Sequence, residues 1–200
     1  MEEKKLTIVV ATNNEHKLKE LRELFSPYKV NLLSLRQSNI HVDPVEDGNS
    51  YKENAFIKAN EIAKFTSYPV LSDDSGIEIE ALGEHFPGIY SHRYTEANGG
   101  QKKVNEFLVK NHHGSKATFY CHMVLLNLEP GKRFDFEGTM EGKINSKVEG
   151  EYGFGYDPIF VPNGFEHSVS TLSDDEKNKI SHRHNAAVKV IDFLKQISKI

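Results

Sequence analysis

Five consecutive residues, Ser72-Asp73-Asp74-Ser75-Gly76, set two carboxylates side by side after a short apolar run, Tyr68-Pro69-Val70-Leu71. The run reads as a strand. Carboxylates at the end of a buried strand are costly unless a cation is held beside them. Magnesium is the natural candidate, because it takes hard oxygen ligands and is often shared between carboxylates and phosphates. Successive strand residues point to opposite faces, so Asp73 and Asp74 are expected to do different jobs. One is aimed at a metal or a water, and the other braces the turn. Solvated carboxylates in an Asx-type turn are the competing reading.

Further segments carry residue types suited to chemistry. Thr12-Asn13-Asn14-Glu15-His16-Lys17 joins an apolar strand to an amphipathic helix. Ligands bind at that end of an open α/β sheet, and helix N-terminal N–H groups favour phosphate oxygens. Lys17 adds a point charge there. The loop lacks the G-x-x-x-x-G-K-[ST] pattern, so it is not a P-loop, and Asn14 also reads as a plain helix cap. Glu46-Asp47 is a second acidic pair, suited either to a metal or to a turn before a helix. Pro87-Gly88-Ile89-Tyr90-Ser91-His92-Arg93 reads as a pocket wall or a packed loop. Gly153-Phe154-Gly155-Tyr156-Asp157-Pro158 sets aromatic rings between glycines, with stacking faces for a base and Asp157 for its polar edge. Lys177 is followed by Ser181-His182-Arg183, which puts cations in the first turn of a last helix. Cations oppose the macrodipole there, so an anion or acceptor-rich group is expected beside them. His112, His113 and His167 have no metal-ligand spacing.

The elements that must position these groups alternate between strand and helix. Leu6–Ala11 is a continuous apolar run, as a central parallel strand requires. Leu18, Leu21, Leu24 and Phe25 recur at helical spacing, and Val30–Leu35 reads as the next strand. Ser50-x-x-Glu53 is a capping box that opens a helix through Lys64. Strand Pro69–Leu71, the acidic turn and strand Ile77–Leu82 follow. Gly83–Gly100 is glycine-rich and reads mostly as loop, with a short helix around Val104–Leu108. Lys116–Leu128 and Arg133–Met140, joined at Pro130-Gly131, form an antiparallel hairpin. Pro158–Val161 is a short strand, Ser173-x-x-Glu176 a second capping box, and Ser181 caps the last helix. The order of elements is that of an α/β sheet.

Composition excludes several classes of function. With 200 residues, 38% hydrophobic and 27% charged, the chain is an ordinary globular one. Its net charge of −4 and lack of a basic run give no footprint for nucleic acid. The single cysteine, Cys121, excludes an internal disulfide and fits a reducing compartment. Cys121 reads as a buried small hydrophobe in a strand. No apolar stretch reaches the ~20 residues of a membrane span. Met1–Lys5 lacks the apolar core of a signal peptide, so a cytoplasmic location is expected.

Taken in order, Thr12-x-Asn14-x-x-Lys17, Ser72–Gly76, Pro87-Gly88-x-Tyr90-Ser91-x-Arg93, Gly153–Pro158 and Ser181-His182-Arg183 resemble the motifs of the inosine/xanthosine triphosphate pyrophosphatase family. The resemblance runs from Thr7 to Leu194. It implies a long mixed β-sheet flanked by helices, in two lobes with a central nucleotide-binding cleft. It places a hairpin lobe at about residues 116–146 of a single domain, and it implies a homodimer. The implied reaction is magnesium-dependent hydrolysis of ITP, dITP or XTP to the monophosphate and pyrophosphate. Carried over by motif, Thr12, Asn13, Asn14, Glu15, His16 and Lys17 would hold the triphosphate. Asp74 would be the general base and meet the Mg2+, and Ser75 would contact substrate. Phe154, Gly155, Tyr156 and Asp157 would line the base and sugar pocket. Lys177, His182 and Arg183 would complete the nucleotide contacts, with His182 or Arg183 near the 6-oxo group. Two positions depart from the family pattern. Val45 stands where relatives have an acidic metal ligand, which leaves Glu46 or Asp47 to take that part. His92 stands where a small residue is common. The competing functions are a pyrophosphatase for modified pyrimidine nucleotides and a nucleotide-binding protein without turnover.

Overall fold

The computed structural model describes residues 5–200. Most of the Met1–Lys5 segment read for a leader lies outside the described residues. The elements are β1 (Leu6–Val10), α1 (Glu15–Phe25), β2 (Val30–Leu33), α2 (Tyr51–Ile62), β3 (Val70–Ile79), β4 (Pro87–Gly88), α3 (Ser91–Ala97), α4 (Gln101–His112), β5 (Lys116–Leu126), β6 (Arg133–Ile144), β7 (Phe160–Pro162), α5 (Asp174–Lys177) and α6 (His182–Gln196). The sheet has seven strands in the order β2-β1-β3-β5-β6-β7, with β4 paired to β3. β1 runs parallel to β2 and β3, whereas β4 and β7 run antiparallel to β3 and β6. The expected mixed α/β sheet is therefore present.

Two compact units share these strands. The first holds the chain up to Asp74, Cys121–Gly138 and Arg183–Ile200; the second holds Ser75–Tyr120 and Thr139–His182. In the first unit β1 is covered on both faces, as its unbroken apolar run requires. Ile8 and Val10 join Leu18, Leu21 and Phe25 of α1 and Val190 and Leu194 of α6. Val9 and Ala11 join Ala55, Ala59 and Ile62 of α2 on the other side. Burial of each large aliphatic side chain contributes roughly 1.5–3 kcal/mol. Cys121 is fully buried, and burial pushes its thiol up to about 12, so it is the inert small hydrophobe expected. The second unit has its own core, with Ile77, Ile79, Leu108, Phe119, Ile159 and Phe160 at its centre.

Local signals explain the helix starts. Asn14 caps α1 by accepting from the His16 and Lys17 amides at 3.0 and 3.2 Å. Ser50 caps α2 by accepting from Glu53 N at 3.1 Å. The reciprocal half differs from the expected box, because Glu53 accepts from Asn49 N at 2.7 Å, one residue early. The Ser173–Glu176 box is complete.

Three expectations change. Ser72–Gly76 is not a turn: β3 runs unbroken from Val70 to Ile79. The turn-forming residue types are overruled by pairing on the strand, and Gly76 is there for close approach. A Cβ on Gly76 would lie 2.3 Å from Gly88 O and 2.7 Å from Ser91 Oγ. Gly83–Gly100 is not mostly loop, since it holds β4 and α3. α2 ends at Ile62 and passes into a 3-10 turn over Ala63–Phe65, short of Lys64 as a helical residue.

Candidate active site

The strand geometry of β3 sends its two aspartates apart. Asp73 is 1% exposed and Asp74 is 6% exposed. Asp73 Oδ2 lies 2.9 Å from Lys17 Nζ and 3.5 Å from Arg183 Nη2. Arg183, itself 1% exposed, also donates to Glu20 of α1. Burial pushes the Asp73 carboxyl up, but Lys17, Arg183 and Lys58 outweigh it and hold it far below the usual carboxylate range. Asp73 Oδ1 is buried without a hydrogen-bond partner among the described residues.

Asp74 meets a different set. Its Oδ2 accepts from Asn54 Nδ2 at 3.2 Å, and its Oδ1 lies 3.7 Å from Lys58 Nζ. Glu46 Oε1 lies 3.1 Å from the same Lys58 Nζ. Burial pushes Asp74 up; Lys58 and Lys17 pull it down, Glu46 pushes it up, and the result is about 6. Burial lowers Lys58, yet Asp74, Asp73 and Glu46 raise it above its ordinary value. A carboxyl poised near neutrality suits general-base work.

Asp74 and Glu46 are the donors that fit a divalent cation. They already converge on one positive charge, the Lys58 ammonium. Among the described residues, no group of three or more His, Cys, Asp or Glu side chains is arranged to hold a metal. Two carboxylates suffice for an ion that draws its remaining ligands from water and substrate phosphates, as Mg2+ commonly does. Val45 is 76% exposed and offers no donor, and Glu46 is the neighbour turned towards Lys58.

The predicted phosphate segment lies at the start of α1. Thr12 Oγ1 accepts from Asn14 N at 3.1 Å, and Asn13 Nδ2 donates to Asp43 at 3.3 Å. Asn13, Asn14, Glu15 and His16 are exposed, whereas Lys17 is half-buried against Asp73.

The glycine-aromatic loop is held inside the second unit. Asp157 Oδ2 accepts from Phe154 N at 2.9 Å and from Lys177 Nζ at 2.7 Å. Lys177 Nζ stands 4.7 Å over the Phe154 ring. Gly153 has φ +78°, and a Cβ there would lie 2.4 Å from Asp157 Oδ2. Asn105 donates to Gly155 O at 3.0 Å. Phe154 is half-buried, but Tyr156 is only 6% exposed and its hydroxyl donates to Ser91 O at 3.0 Å. The Tyr156 ring is thus part of the core rather than a stacking face. His182 stacks on Phe119, with ring centroids 4.7 Å apart and planes at 9°. Ser75 is half-buried on β3. The anions expected beside the terminal cations are supplied by the protein: Asp157 for Lys177, and Glu20 with Asp73 for Arg183.

Sequence reasoning missed Asn54, Lys58 and Glu20. Asn54 and Lys58 are four residues apart on α2 and so share a face. A signal was available: both are polar and flank Ala55 and Ala59 of the apolar stripe.

The chain is similar to known proteins over nearly its whole length. The model of the Ham1 family matches residues 8–193. A dITP/XTP pyrophosphatase of Clostridium perfringens is 39% identical, covering 96% of this chain and 98% of that protein. One from Dictyoglomus thermophilum is 40% identical, covering 95% of each. The solved structure of a HAM1 protein from Coxiella burnetii superposes with a TM-score of 0.83 at 34% identity, covering 96% of this chain and 99% of that one. The chain belongs to the Ham1 family.

Proposed function

We infer that this protein hydrolyses non-standard purine nucleoside triphosphates, dITP, ITP and XTP, to the monophosphate and pyrophosphate. The observation that carries the reading is Asp74: a buried carboxyl held near neutrality, bonded to Asn54 and facing Lys58. Its relatives bear the name dITP/XTP pyrophosphatase.

In this reading Asp74 takes the proton from the water that attacks phosphorus. The start of α1, from Thr12 to Lys17, holds the triphosphate. Lys17 and Lys58 oppose the phosphate charge. Asp74 and Glu46 would hold Mg2+, which when bound neutralises phosphate charge. Ser75 contacts substrate, and Phe154, Gly155 and Asp157 line the base and sugar, with the Tyr156 ring packed behind them in the core. Lys177, His182 and Arg183 complete the nucleotide contacts, with Glu20 and Asp73 orienting the guanidinium. A donor from His182 or Arg183 meets the 6-oxo group. A 6-amino group would leave that donor unpaired, which disfavours ATP. The family resemblance also supports a homodimer working in the cytoplasm.

The test is product analysis after incubation with ITP, XTP, GTP, ATP and UTP plus Mg2+. IMP or XMP with pyrophosphate, and little product from ATP or GTP, is the expected result. Inosine diphosphate with free phosphate would place the attack on the wrong phosphorus. Faster turnover of UTP would favour a pyrimidine substrate, and binding of ITP without product would leave a non-catalytic protein.

A further inference from the structure

Asn54 is wholly buried in the first turn of α2. A buried amide in such a place needs both ends satisfied. Its Oδ1 accepts from Gly48 N at 2.9 Å, and its Nδ2 donates to Asp74 Oδ2 at 3.2 Å. This orientation follows from chemistry. A backbone N–H can only donate and an ionised carboxylate can only accept. A flipped amide would set donor against donor at Gly48 and acceptor against acceptor at Asp74.

The consequence falls on Asp74. One of its oxygens, Oδ2, is taken by a neutral donor. The other, Oδ1, faces Lys58 at 3.7 Å, beyond hydrogen-bond length. Gly48 lies two residues from Glu46, whose carboxylate meets the same Lys58. A single amide thus ties the Glu46 segment to the carboxylate of β3.

We propose that Asn54 is a positioning residue that turns the Asp74 carboxylate so that Oδ1, not Oδ2, does the work of the reaction. The proposal rests on the reading of Asp74 as the base. It differs from a packing role in one respect: Asn54→Asp keeps the acceptor for Gly48 N–H but replaces the donor to Asp74 with a second carboxylate, and pH 8 is chosen to oppose the proton that two such groups would share.

The experiment compares wild type, Asn54→Ala and Asn54→Asp at pH 8, with ITP and Mg2+. Removing an orienting partner of this kind lowers activity by about ten- to a hundredfold. That loss is expected in kcat for both variants, with KM within about threefold of wild type. Wild-type kcat in Asn54→Asp, or a loss confined to KM, would overturn the proposal. If Asn54→Ala fails to fold, Asn54→Asp carries the test, because the bond to Gly48 remains. A second arm does not depend on turnover. The side-chain amide signals of Asn54 in a nitrogen-15 NMR spectrum should move when Asp74 is replaced by Ala. Signals that stay in place overturn the proposal even with an active enzyme. A wild type silent on every nucleotide sinks the assigned function instead, and the amide signals still decide the contact.

Discussion

Asp73 and Asp74 are neighbours on β3, equally short and both buried, yet their surroundings push them in opposite directions. On one face Asp73 meets Lys17 and Arg183 and is held far below its ordinary range. On the other, Asp74 meets Asn54, lies farther from Lys58, shares that lysine with Glu46, and rises to about 6. Burial raises both carboxyls; the difference comes from how many cations reach each one and how closely. Pairs of carboxyls split in this way are a mark of divided labour in active sites. Asp73 is a fixed anion that binds α1 and α6 to the strand. Asp74 is the one whose surroundings favour its protonated form.

The largest expected effect breaks the pair at Asp74, the proposed base. Asp74→Asn should lower pyrophosphate release by about 10³-fold, within the range of general-base losses, while its urea unfolding midpoint at pH 7 stays at or above wild type. Undiminished release would remove Asp74 from the chemistry. A marked fall in stability would instead make it a structural carboxylate like its neighbour.

The next effect is on stability. Asp73→Asn leaves buried Arg183 and Lys17 short of an anion, and breaking a buried pair in this way costs about 3–5 kcal/mol. Denaturant unfolding at pH 7 would read it directly. A cost below about 1 kcal/mol would mean that Glu20 alone compensates Arg183.

The smallest effect is in pH dependence, and the two carboxyls carry opposite signs. Asp73 is depressed, so its contribution is present above its ordinary pKa of 3.8 and is lost as pH falls below it. Asp74 is raised from 3.8 to about 6, so the fold favours its protonated form. Stability from that source is present below 3.8 and declines as pH rises towards about 6. Wild-type stability, measured without metal, should therefore fall relative to Asp74→Asn between those values. A constant difference across that window would contradict the environment described for Asp74. Added Mg2+ should shift the acid limb of activity lower, because the ion favours the carboxylate.

Much of the fold was legible because hydrophobic periodicity is local. The Leu6–Val10 run predicts a strand covered on both faces, and both faces are covered. The Leu18, Leu21 and Phe25 spacing predicts the buried stripe of α1. The acidic segment was misread as a turn because Asp, Ser and Gly are turn formers. Whether they turn depends on strand partners distant in the chain. Tyr156 shows the same limit for the site: its ring type suggests stacking on a base, but its burial and its bond to Ser91 are tertiary facts.

The sequence by itself determined most of the strands and helices, the helix caps at Asn14, Ser50 and Ser173, and the five motifs that mark the family. These depend on neighbours a few residues away. Tertiary structure alone decided which aspartate is paired, that Asn54 and Lys58 face Asp74, and that Arg183 finds Glu20 and Asp73. Those choices depend on burial and on charges brought together from separate elements. The Coulomb interaction between two charges falls with their separation in space and takes no account of their separation along the chain.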